Sequence, residues 1–287
     1  MVPVRVEGMI RGYLRAFDRL LPTKLQGFYL VGSVALGAFR PARSDIDFVA
    51  VVADACDSRE MRLLRALNLF GCALAARWTL RPGRRWWPAG LNGIFVTWHD
   101  LASSAQVAKP IASQRAGRFF VGRGFDMNPV TWNILARSGV TLRGPYPRSL
   151  VIYTDQKELH QWVAGNLSSY WAAWSKQLRT RTSVSLKPLL RRGTAWGVLG
   201  APRLHATLKT SRILSKEEAG EYALDSFPQW RPLIKDALAY WRSERSDRWA
   251  VSPFERRKAA ADFVAEVVAD GQKLAAADGR PAEIRRE

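Results

Sequence analysis

Two short motifs carry residue types suited to phosphate chemistry. Val31-Gly32-Ser33 is followed, after eleven residues, by Asp45-Ile46-Asp47-Phe48. A glycine after a strand lets the backbone turn tightly and approach a phosphate closely. The Ser33 hydroxyl and nearby amides, with a helix starting behind them, can cradle phosphate oxygens. Asp45 and Asp47 are two residues apart, so on a strand both carboxylates project from one face. Ile46 and Phe48 then turn to the core. Two carboxylates on one face form a site for Mg²⁺, which takes few protein oxygens and completes its shell with water and substrate phosphate. The plainer alternative is a polar strand end with Asp45 as a turn residue. The Gly-Ser pair at a fixed distance favours the site.

The surrounding pattern supplies elements to hold these motifs. Phe28 to Val31 is a short apolar run ending at Gly32, the pattern of a buried strand and turn. Ile46 to Val52 is a second such run, rich in β-branched residues. Met9 to Leu21 and Arg59 to Arg77 have helical apolar spacing, and Leu91 to Trp98 is a third strand candidate. A Pro/Gly boundary at 143–147 precedes a change of character. Beyond about Asp155 the chain reads as helical. Asp155 with Glu158, Ser215 with Glu218, and Ser252-Pro253 with Glu255 are capping-box starts, and a final helix runs from Pro253 to about Ala277. The predicted fold class is α+β, a small mixed-sheet domain over 1–150 followed by an all-helical domain over 151–287.

Composition narrows the partners. The 287 residues include 44 Lys plus Arg and 25 Asp plus Glu, a formal net charge of +19. Hydrophobic residues at 47% exclude disorder for the bulk of the chain. No apolar run approaches the ~20 residues that span a bilayer, and the start lacks a signal-peptide core, so a cytoplasmic location is expected. Asp262, Glu266 and Asp270 interrupt the final helix, which argues against a membrane surface. Cys56 and Cys72 are too few for a disulfide framework, and three scattered histidines do not suggest a metal cluster. The positive charge is concentrated by omission. Met61 to His99 contains no acid against six arginines, and Leu159 to Lys216 none against ten basic residues. Such a chain attracts anions.

The string Gly32-Ser-Val-Ala-Leu-Gly-Ala-Phe with Ser44-Asp-Ile-Asp-Phe48 resembles the streptomycin/spectinomycin (aminoglycoside) adenylyltransferases, within the polymerase-beta-type nucleotidyltransferase superfamily. Val198-Leu, Arg203-Leu, Thr210 to Glu218 and Tyr222 to Pro228 are similar to that family's helical domain. The resemblance implies a nucleotidyltransferase domain followed by a helical acceptor-binding domain, with the substrates in a cleft between them. It implies Asp45 and Asp47 as Mg²⁺ ligands and Ser33 as a phosphate contact beside Gly32. Lys209 or Arg212 would lie near the triphosphate, against the alternative of a solvated helical cation. The implied reaction moves AMP from ATP to a hydroxyl.

Two departures qualify it. Aligning Ile94-Phe-Val-Thr97 with the family's later strand puts Phe95 where a third carboxylate, the base for the attacking hydroxyl, is expected. His99 shares the alternation of Phe95 and is a candidate replacement base, histidine being the residue type that changes charge near neutral pH; the alternative is a packed strand-end histidine. Asp100 is a second candidate if the strand turns there. The other departure is charge: Arg191-Arg-Gly-Thr-Ala-Trp196 stands where the family presents acids to a polycationic antibiotic, and like charges disfavour such a partner. A neutral or anionic hydroxyl-bearing small molecule fits better. Two rival readings remain. One is a nucleotidyltransferase acting on RNA or tRNA, suggested by Arg77-Trp78, Arg84-Arg-Trp-Trp87 and Trp171-Ala-Ala-Trp174 with Lys176, Arg179 and Arg181. The other is a nucleotide-binding protein without a catalytic base.

Overall fold

The structure is a computed structural model that describes residues 2–41, 43–79, 90–115, 117–122, 124–180, 191–244 and 251–278. The chain divides into two compact units, Met1–Asp155 and Gln156–Glu287.

The first unit runs α1 (Val4–Leu20), β1 (Leu25–Val31), α2 (Gly32–Ala35), β2 (Ile46–Val52), α3 (Ser58–Thr79), β3 (Leu91–Val96), α4 (Trp98–Leu101), β4 (Ala112–Arg115), β5 (Arg118–Val121), α5 (Pro129–Ser138) and β6 (Val140–Arg143). The strands form one sheet in the order β5-β4-β3-β2-β1-β6. Only β2 and β3 pair in parallel; the other neighbours are antiparallel. This is the mixed sheet of an α+β fold.

Alternation along the central strands divides the sheet into two faces. Phe28, Leu30, Ile46, Phe48, Ala50 and Phe95 join Tyr13 and Phe17 of α1 and Leu64 and Leu67 of α3 in one buried cluster. Its centre is aromatic. Phe28 stacks on Phe48 with centroids 4.8 Å apart, Phe48 meets Phe95 edge-on at 5.6 Å, and Phe95 stacks on Phe17 at 6.2 Å. The intervening residues, Asp45, Asp47 and Asn92 among them, face the other way. Outside the aromatic cluster, α5 packs against β1 and α2.

The second unit contains α6 (Gln156–Asn166), a π-helical turn (Leu167–Trp171), α7 (Ala172–Thr180), α8 (Arg191–Thr210), α9 (Lys216–Ser226), α10 (Arg231–Arg242) and α11 (Pro253–Asp278). The capping box Ser215–Glu218 opens α9, and Ser252 and Glu255 exchange the same bonds before α11. Helix α8 packs against α6, α9, α10 and α11. It carries glycine where two indoles cross it: a Cβ on Gly197 would collide with Trp174, and one on Gly200 with Trp171. Among the described residues no helix is long and apolar enough to cross a membrane.

Candidate active site at the Gly32–Asp47 strand ends

β1 and β2 place the two motifs side by side. Val31, the last residue of β1, pairs with Asp47 near the start of β2. Gly32 then turns with φ +58°, a conformation in which side chains are strained. The turn lies against Asp47: a Cβ on Gly32 would collide with that carboxylate. The glycine therefore serves both the backbone angle and the close approach.

The helix behind Gly32 is a single turn. Its contribution is local amides and a hydroxyl rather than a long dipole. Ser33 Oγ is buried and has no hydrogen-bond partner among the described residues. A buried hydroxyl of this kind costs stability unless something occupies it. The orphan stands beside the glycine turn that faces Asp47.

Asp45 is fixed from two sides. The chain from Arg40 to Ser44 closes on itself, with Ser44 N donating to Arg40 O at 2.8 Å and Arg40 N to Ser44 Oγ at 3.0 Å. Gly90 N donates to Asp45 Oδ1 at 3.0 Å, while Ile46 N donates to Gly90 O at 2.8 Å. Asp47 pairs across the sheet with Asn92, whose Nδ2 donates to Asp47 Oδ1 at 3.4 Å. Both carboxylates thus emerge on one face at one end of the sheet. Among the described residues no group of three or more His, Cys, Asp or Glu side chains is arranged as a metal site. Two carboxylates beside a buried orphan hydroxyl nevertheless fit Mg²⁺, whose remaining ligands are water and phosphate oxygen.

The expectation for Phe95 is corrected here. Phe95 is fully buried in the aromatic cluster, on the face opposite the carboxylates. The β3 residue that stands beside Asp47 is Asn92, three positions earlier. Asn92 is the one polar side chain in the otherwise apolar run of β3, a signal that strand alternation alone did not align.

Nor does the structure bring His99 to this end of the sheet. From Asn92 to Val96 the strand carries the chain about 13 Å away, and His99 is exposed on α4 beyond it. Asp100 does follow a turn, but its carboxylate caps α4, accepting Thr97 N and Thr97 Oγ1 at 2.8 Å each.

One acid near the site was missed by sequence reasoning. Asp126 lies after β5, on the approach to α5. Burial pushes its pKa up, Arg115 pulls it down, and the nearby Asp45 carboxylate pushes it up again. Its signal was its isolation: it is the only acid between Asp100 and Asp155.

In the second unit, Lys209 is exposed in the last turn of α8 and Arg212 is exposed just beyond it. Trp171 packs on Trp196 at 4.7 Å and on Trp174 at 5.9 Å. These indoles build the helical core. The other aromatic–arginine stretch, around 81–87, lies outside the described residues, as does Arg181; for Arg77 and Trp78 no side-chain placement is described.

A mixed sheet presenting a Gly-Ser turn beside two carboxylates is followed by a helical unit, the order of domains that the sequence resemblance implies. The comparisons agree. Residues 168–268 match the family described as aminoglycoside adenylyltransferase, C-terminal domain. The fold is similar to that of spectinomycin adenyltransferase AAD(9) from Enterococcus faecialis, solved with ATP and spectinomycin. The TM-score is 0.64 at 14% identity, covering 92% of this chain and 99% of that one. No curated protein matches the sequence. The resemblance to the aminoglycoside adenylyltransferases read from the sequence is thus borne out.

Proposed function

We propose that this chain is an adenylyltransferase that moves AMP from ATP to a hydroxyl of a small acceptor and releases pyrophosphate. The observation that carries the reading is the pair Asp45 and Asp47 on one face beside the Gly32 turn, with Ser33 Oγ buried and unpartnered next to it. The likeness to a protein solved with ATP supports it.

In this reading Asp45 and Asp47 hold Mg²⁺. The metal supplies charge neutralisation and alignment for a triphosphate. Gly32 leaves room for a phosphate to approach the backbone, and Ser33 donates its hydroxyl to a phosphate oxygen. Gly90 N and Asn92 Nδ2 orient the two carboxylates. Lys209 and Arg212, exposed cations, are proposed to neutralise phosphate charge.

The acceptor class follows from charge. Many carboxylates of the helical unit already have partners. Asp236 pairs with Arg191 at 2.5 Å and Arg256 at 3.2 Å, Glu217 and Glu221 hold Arg242, and Asp262 holds Arg179 and Lys258. Glu218 and Glu255 cap helices. A polycation would have to displace these partners, so a neutral or anionic hydroxyl compound is the favoured acceptor.

The test is pyrophosphate release from ATP with acceptor pools: neutral and anionic hydroxyl compounds, aminoglycosides with spectinomycin, and total tRNA. Release is expected with the first pool and is abolished in Asp47→Asn. Undiminished turnover in that variant refutes the mechanism. Release only with tRNA, weakening with salt, establishes the RNA reading instead. Mg-ATP binding by calorimetry without release from any pool establishes a non-enzymatic nucleotide binder.

A further inference from the structure

β3 contributes an amide, Asn92, beside Asp47, so the strand provides no carboxylate to take the acceptor proton. The segment after β5 does contain one. Gly124 lies against β3: a Cβ there would sit 3.3 Å from Ile94 Cγ2, and 3.0 Å from Met127 Cβ and Pro110 Cγ. Ile94 is two residues from Asn92 and shares its face. Gly124 is therefore seated on the carboxylate face of the sheet, two residues before Asp126.

The far side of the segment is equally fixed. Asn128 Nδ2 donates to Phe125 O at 3.2 Å, and its Oδ1 accepts from Thr131 N at 3.0 Å, tying the turn to the start of α5. Helix α5 packs against β1 and against α2, which carries Gly32 and Ser33. Arg115 of β4 stacks over Phe125 at 3.5 Å from the ring centroid. Asp126 is thus held between Gly124, which touches β3, and α5, which touches α2. The charged groups acting on it are Asp45 and Arg115, and no hydrogen bond or ion pair holds its carboxylate among the described residues.

Building on the adenylyl-transfer reading, we propose that Asp126 is the catalytic base of this site, supplied by the β5–α5 segment in place of a carboxylate on β3. The acceptor O–H bond breaks and its proton passes to an Asp126 carboxylate oxygen. The acceptor oxygen bonds to the α-phosphorus of ATP. The bond from that phosphorus to the bridging oxygen breaks, and pyrophosphate leaves with its electron pair. The electrostatic surroundings agree: burial and Asp45 both disfavour the ionised carboxylate, which makes it a stronger base than an exposed one, and Arg115 opposes them.

The experiment measures kcat, Mg-ATP affinity by calorimetry and melting temperature for wild type, Asp126→Asn, Asp126→Glu and His99→Gln. Asp126→Asn should lower kcat by roughly 10²–10⁴-fold, leave Mg-ATP affinity close to wild type, and raise the melting temperature by removing a half-buried charge that is repelled by Asp45. Asp126→Glu should recover part of the turnover, and His99→Gln should match wild type. Asp126→Asn turnover within about tenfold of wild type, below that usual range, overturns the proposal and leaves the adenylyl-transfer reading intact. A melting temperature that falls together with Mg-ATP affinity also overturns it, since Asp126 would then be structural. Wild-type protein inactive with every acceptor pool overturns both.

Discussion

Asn92 stands beside Asp47 across the parallel β2–β3 pair, with its amide nitrogen 3.4 Å from Asp47 Oδ1. An amide there orients a carboxylate without adding negative charge. Asn92→Asp turns a donor into a third anion beside two others. We expect it to lower the melting temperature in chelator, and Mg²⁺ to restore more stability to this variant than to wild type. Thermal melts with and without Mg²⁺ read both effects.

Gly32→Ala should damage the site more than the fold. The side chain is strained at φ +58° and strikes the Asp47 carboxylate. A loss of about 1–3 kcal/mol in stability is expected, read by denaturant titration. A much larger loss of turnover should accompany it, because Asp47 must move. Stability and activity near wild type would show that the turn relaxes freely.

Ser33→Ala should separate binding from folding. The hydroxyl has no partner among the described residues, so its removal is expected to leave the melting temperature unchanged or slightly raised. Mg-ATP affinity should fall. Calorimetry and a thermal melt on one preparation decide this.

The helical unit has its own pH response. His205 is buried, with Nδ1 2.7 Å from Tyr222 Oη and Nε2 2.9 Å from Asp270 Oδ2. Burial lowers its pKa; Asp270 opposes this and Lys209 adds to it. The folded form therefore resists a proton that the unfolded chain takes up near the ordinary histidine pKa of about 6.5. Its contribution is complete above that pH and is lost as pH falls below it. Denaturation midpoints between pH 7.5 and 5 should decline, and His205→Gln should flatten the decline.

The central strands were legible in the sequence because β1, β2 and β3 are nearly continuous apolar runs buried on both faces. The outer strands were not. β4, β5 and β6 are four residues each, and Arg115, Arg118 and Arg143 make them look like loop; their pairing depends on the neighbouring strand more than on their own composition. The same division holds for the site. Gly32, Ser33, Asp45 and Asp47 sit in contiguous motifs and could be read directly. Asn92 required the register of β3, in which Phe95 proves to face the core. Asp126 required knowing that the segment beyond β4 and the edge strand β5 folds back to the sheet. The acid-free Leu159–Lys216 stretch was read as a deterrent to cations; the structure adds that Arg191, within it, is joined to Asp236.

The parallel pairing of β2 with β3 has a consequence for how the protein is made. Parallel neighbours cannot be joined by a hairpin, so the chain must cross over through α3 before Asn92 meets Asp47, a separation of 45 residues. Contacts that close such long loops form slowly. A nascent chain emerging from the ribosome would have its glycine turn and both aspartates exposed before the strand that completes their setting exists, so ligand affinity should emerge late in synthesis and abruptly.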